Sequence, residues 1–134
     1  MKIALFFREF YPHPVEKVWR AVSTREGLAV WLMDNDFEPQ EGKRFALRYP
    51  LHAGGRGWIN CQVVAIEPPE RIVWSWQAAE DDRPGQVEIR LRAVESGTEL
   101  TLQHTGETDP ARRLRYASGW SAKFAELRAL LARI

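Results

Sequence analysis

DPARRLRYASGWSAKFAELRALLARI, from Asp109 to Ile134, is the stretch whose reading decides the fold. Ala117, Trp120, Phe124, Leu127, Leu131 and Ile134 follow one another at alternating steps of three and four, so the spacing predicts one long helix with a single apolar stripe. Asp109 is a natural N-cap, and Pro110 fits the first helical position, where its missing N–H costs nothing. Arg112, Arg115, Lys123, Glu126, Arg128 and Arg133 fall off the stripe and are assigned to solvent. Such a helix needs a broad apolar partner, and most of what precedes it reads as β-strand. The expectation is an α+β fold, a curved antiparallel sheet of about six or seven strands wrapped around the C-terminal helix.

The strands are read from alternation. His104, Leu102 and Leu100 share one face against Gln103 and Thr101, behind a hairpin turn at Ser96-Gly97. Val87, Ile89 and Leu91 alternate with Glu88, Arg90 and Arg92, and Ile72, Trp74 and Trp76 with Val73, Ser75 and Gln77. Ile59, Cys61 and Val63 point inward, and a bulge between Val63 and Ile66 is required if Ile66 is to join them. Phe45, Leu47 and Tyr49 form another inward row, and Pro50 to Gly57 is a glycine-rich loop. Each strand is apolar on one face, which suits an antiparallel sheet with one wet side. At the N-terminus, Ile3 to Phe10 is a strand whose inward face the adjacent Phe6 and Phe7 leave undecided. Two short helices follow it, with Pro14 at N1 and Glu16 at N3 of the first and Thr24 capping the second. Val15, Val18, Trp19 and Val22, then Leu28, Trp31 and Leu32, supply their apolar faces.

Composition narrows the function classes. The chain has 134 residues, read as one domain over residues 1–134, with 19 basic and 18 acidic side chains. That balance gives no electrostatic case for nucleic acid or an anionic membrane. Cys61 is the one cysteine, so neither an internal disulfide nor a cysteine zinc site is available. Met1 to Phe7 is too short for a secretory signal and no stretch reaches membrane-span length, so a soluble cytoplasmic protein is expected. Six tryptophans give more large aromatic surface than a core of this size requires.

Several segments, in order, carry a resemblance. Pro14-Val15-Glu16-Lys17-Val18-Trp19 followed by Trp31 is similar to the first-helix signature of the activator-of-Hsp90-ATPase-like family, within the START/Bet v 1-like superfamily. Glu41 to Phe45, Glu67 to Trp76, Gly97 to Gly106 and Gly119-Trp120 agree in turn, and Gly42-Lys43 stands where the family has Gly-Gly. The resemblance covers nearly the whole chain after about Arg8. It implies the helix-grip fold, two short helices after strand one, and a cavity between sheet and long helix that in this superfamily often holds lipids, sterols or polyketides.

The candidate lining is Phe45, Leu47, Tyr49, Cys61, Val63, Trp74, Trp76, Ile89, Leu102, His104, Trp120 and Phe124. Those aromatics read either as an ordinary core or as a stacking-lined pocket. Ala117, Ser118 and Gly119 leave space beside Trp120, and a mid-helix glycine points to a close approach or a bend there. His104 reads either as a satisfied buried histidine or as a polar anchor or acid–base group, with Tyr49 a second anchor. No catalytic constellation, cofactor motif or metal-ligand spacing is found. The leading expectation is binding of a small apolar, aromatic or lipid-like molecule. The alternatives are a cyclase- or hydrolase-like enzyme dependent on His104, or an Hsp90-type chaperone co-factor working through the outer sheet face of Arg48, Glu88, Arg90 and Arg92. That face shows no apolar patch, which ranks the chaperone reading last. A homodimer is allowed by the resemblance and demanded by nothing in the residues.

Overall fold

The computed structural model describes residues 1–134. Its elements are β1 (Lys2–Tyr11), α1 (Val15–Val22), α2 (Arg25–Trp31), β2 (Asp34–Asn35), β3 (Arg44–Arg48), β4 (Trp58–Glu67), β5 (Arg71–Trp76), β6 (Gly85–Val94), β7 (Gly97–Glu107) and α3 (Pro110–Arg133). The strands form one antiparallel sheet in the order β1-β7-β6-β5-β4-β3-β2. Pairing of β1 with β7, from Lys2 opposite Glu107 to Tyr11 opposite Thr98, joins the two ends of the chain at one edge. This is the helix-grip architecture, with α1 and α2 between β1 and the rest of the sheet. No helix is long and apolar enough to cross a membrane.

Local chemistry sets these boundaries. Asp109 accepts from the Arg112 N–H at 2.7 Å and Thr24 from the Gly27 N–H at 3.1 Å, so both expected caps form. Pro14 is the N-cap of α1 and not its first residue. Its backbone is extended (ψ 149°), while its carbonyl accepts the first helical bonds from Lys17 and Val18. The β6–β7 loop is Glu95-Ser96, one residue earlier than the sequence suggested, because Gly97 already pairs with Val94. Gly97 has to be glycine there: a β-carbon would collide with the Tyr11 carbonyl oxygen. The expected bulge lies between Val63 and Ala65 of β4, where the register with β5 shifts and leaves Ile66 half-buried. Odd-numbered residues of β1 point inward, so Phe7 packs edge-on to Phe124 at 5.5 Å while Phe6 and Phe10 lie exposed outside.

The two halves of α3 behave differently. Trp120, Phe124, Leu127, Leu130 and Leu131 are buried, and no residue before Trp120 is. The C-terminal half is held to β1: Tyr11 donates to the Phe124 carbonyl at 3.2 Å, and Arg128 lies over the Tyr11 ring at 4.7 Å. Ile134, expected on the stripe, follows the last helical residue and is exposed, and Leu130 is buried instead. The N-terminal half is held by an ion pair, Arg112 Nη1 to Asp82 Oδ2 at 2.6 Å, from the β5–β6 connection.

Candidate ligand cavity

Between the N-terminal half of α3 and the sheet lies an open cavity of about 620 Å³. Its floor is Ile59, Trp76, Ala78 and Trp120, with Leu32 and Met33, just past α2, closing one end. Tyr49, Pro50, Ala53, Gly54 and Gly55 form the facing rim, which is the glycine-rich loop that follows β3. The α3 wall consists of Arg112, Arg115, Tyr116, Gly119 and Lys123. Gly119 sits at the centre of that wall, where a β-carbon would meet no atom within 4 Å.

An aromatic group builds the floor. Trp76 packs against Trp120 at 5.7 Å and Tyr116 at 5.8 Å, and its indole N–H points to the Tyr116 hydroxyl at 3.4 Å. Behind them lies His104, 2% exposed, with its ring 4.9 Å from Trp76 and 4.7 Å from Tyr116. The Trp120 indole N–H, which can only donate, reaches His104 Nδ1 at 3.0 Å. Nδ1 is therefore the unprotonated nitrogen and the imidazole is neutral. Burial alone pushes its pKa down to about 4. Burial likewise raises the Tyr116 hydroxyl, opposed by its hydrogen bond from Trp76 and by the nearby Arg112 guanidinium.

Of the twelve residues expected to line a cavity, Tyr49, Trp76 and Trp120 do so. Phe45, Leu47, Cys61, Val63, Trp74, Ile89, Leu102 and Phe124 are buried in the packed core instead, and His104 lies beneath the floor. The correction has a physical cause at the β3–β5 end, where Phe37 fills the space. Its ring meets Phe45 edge-on at 5.1 Å, and Phe45 meets Trp74 at 6.1 Å. Cys61 is a buried thiol donating to the Ile59 carbonyl, and burial pushes its pKa up, so no thiolate forms there. His104 Nδ1 accepts from Trp120, and the ring stands outside the cavity lining where an anchor or acid–base group was considered.

Arg112, Arg115 and Lys123, assigned to solvent from spacing, line the cavity. The signal was present. Arg112, Tyr116, Gly119 and Lys123 recur at helical steps along one flank of the apolar stripe, and Leu130 continues that flank into the core. Polar residues at that spacing read as a wet face because nothing in the sequence says a second wall stands opposite.

The chain matches the family model described as activator of Hsp90 ATPase homolog 1-like protein over residues 12–132. Among solved structures, protein MLL2253 from Mesorhizobium loti is 32% identical, with a TM-score of 0.85 over 98% of each chain. Protein BH1534 from Bacillus halodurans is 30% identical, with a TM-score of 0.80 over 96% of each chain. CalU16 from Micromonospora echinospora is 26% identical, with a TM-score of 0.80 over 96% of this chain and 75% of its own. No curated protein matches in sequence.

Proposed function

Because the chain belongs to the activator of Hsp90 ATPase homolog 1-like family, we propose that it uses the helix-grip cavity of that fold to bind a small apolar or aromatic molecule. The observation that carries this reading is the cavity of about 620 Å³ floored by Trp76 and Trp120. That volume falls in the usual range for small-molecule sites, and the mixture of aromatic floor and few polar groups is their usual lining. The lining contains no histidine, cysteine or carboxylate, and its ionisable side chains are Tyr49, Tyr116, Arg112, Arg115 and Lys123.

Gly119 offers the sharpest test, since it lines the cavity and a β-carbon placed there would meet no protein atom within 4 Å. Phenylnaphthylamine, a neutral dye whose emission rises in apolar surroundings, is expected to bind the wild-type protein saturably. Gly119→Trp should weaken that binding at least about tenfold while leaving the circular dichroism unchanged, since tryptophan is the better helix former. Equal dye affinity in both proteins would place the dye elsewhere and remove the support for this cavity.

A further inference from the structure

The charge around the cavity mouth is one-sided. Arg112, Arg115 and Lys123 line it and no aspartate or glutamate does. Arg112 is neutralised by Asp82 at 2.6 Å. Arg115 and Lys123 enter no ion pair anywhere in the molecule. They stand one helical turn to either side of Gly119, which has no side chain to separate their long, flexible ends. Lys123 is half-buried beside the apolar floor, where water screens a charge less than at an open surface. The chain as a whole is nearly neutral, so these two cations at an aromatic cavity are not the by-product of a basic protein.

A purely apolar ligand would leave both cations without a partner and gain nothing from them. We propose that the ligand is an amphipathic monoanion. Its apolar or aromatic body lies against Trp76 and Trp120, and its one negative group sits at the mouth between Arg115 and Lys123. Charge-assisted hydrogen bonds from a guanidinium and an ammonium hold that end, and the aromatic floor holds the other. The inference rests on the cavity reading above and adds the charge of the molecule that fills it.

A matched pair of dyes separates the two claims. Anilinonaphthalene sulfonate carries the same aromatic body as phenylnaphthylamine with one added negative group. The sulfonate is expected to bind about tenfold more tightly, the ratio that one charge-assisted hydrogen bond supplies. The double variant Arg115→Gln, Lys123→Gln should bring the two dyes to equal affinity whatever the neutral dye's own affinity becomes, because the ratio between the dyes reads the charge alone. Both side chains reach solvent at the mouth, so the fold is unaffected. Equal affinities in the wild-type protein, both lost in Gly119→Trp, would overturn the anionic ligand and keep the cavity. Binding of both dyes untouched by Gly119→Trp would overturn the cavity reading and this inference together. A sulfonate preference that survives the double variant would overturn the assignment to Arg115 and Lys123.

Discussion

Trp120→Ala is expected to lower the unfolding free energy by about 4 kcal/mol, in the range for removing a large buried aromatic ring. Trp120 is 3% exposed, stacks on Phe124 at 6.1 Å and meets Trp76 at 5.7 Å, so its removal empties the point where α3 meets the sheet. It also leaves His104 Nδ1 buried without its donor. Trp120→Phe isolates that second contribution. The smaller variant keeps a ring in place but cannot donate, and should cost about 1–2 kcal/mol by urea unfolding. A loss below about 1 kcal/mol for the alanine variant would mean that α3 is not docked through this residue.

His104 gives the second large effect. Its pKa is about 4 in the folded protein, against 6.5 for a free histidine. Between those values the unfolded chain binds a proton that the folded protein excludes, so stability falls as pH drops from 6.5 to about 4 and this group adds no further loss below. The expected loss is about 3 kcal/mol, at 1.36 kcal/mol for each unit of the difference. Protonation of Nδ1 would also set an N–H against the Trp120 indole N–H, so the folded core accepts the proton only at lower pH than the unfolded chain does. His104→Gln keeps an acceptor for Trp120 and does not titrate. Unfolding of both proteins in urea at pH 7 and pH 4 should show the wild type losing about 3 kcal/mol more than the variant. Parallel losses would place the imidazole in contact with water in the folded state.

The architecture was legible because it is written in periodicities. The stripe from Trp120 to Leu131 named the long helix, and the inward rows of β3 to β7 fell where alternation put them, down to the bulge after Val63. Strand β2, only Asp34-Asn35, is too short to show alternation and was not expected. The cavity was legible only in outline. Parity tells which residues face the interior layer, and it placed Phe45, Leu47, Trp74 and Trp76 there together. It does not tell where two facing layers touch and where they part. That depends on Phe37 filling one end and on Arg112–Asp82 and Tyr116–Trp76 setting the stand-off at the other. These are contacts between residues far apart in the chain, and no local pattern encodes them. The small residues Ala117, Ser118 and Gly119 were the local sign of open space, while the close approach expected at Gly119 is corrected, since a β-carbon there would meet no atom within 4 Å.

The six tryptophans provide the most direct test of a ligand in this cavity. In a two-dimensional proton–nitrogen NMR titration with phenylnaphthylamine, each indole N–H gives its own signal. The Trp76 and Trp120 indole signals and the Gly54, Gly55 and Gly119 amides are expected to move together to saturation. Trp31 and Trp74, buried in the core and not part of the cavity lining, should move less than these. No movement at saturating dye, or movement confined to the outer face around Arg90 and Arg92, would contradict it.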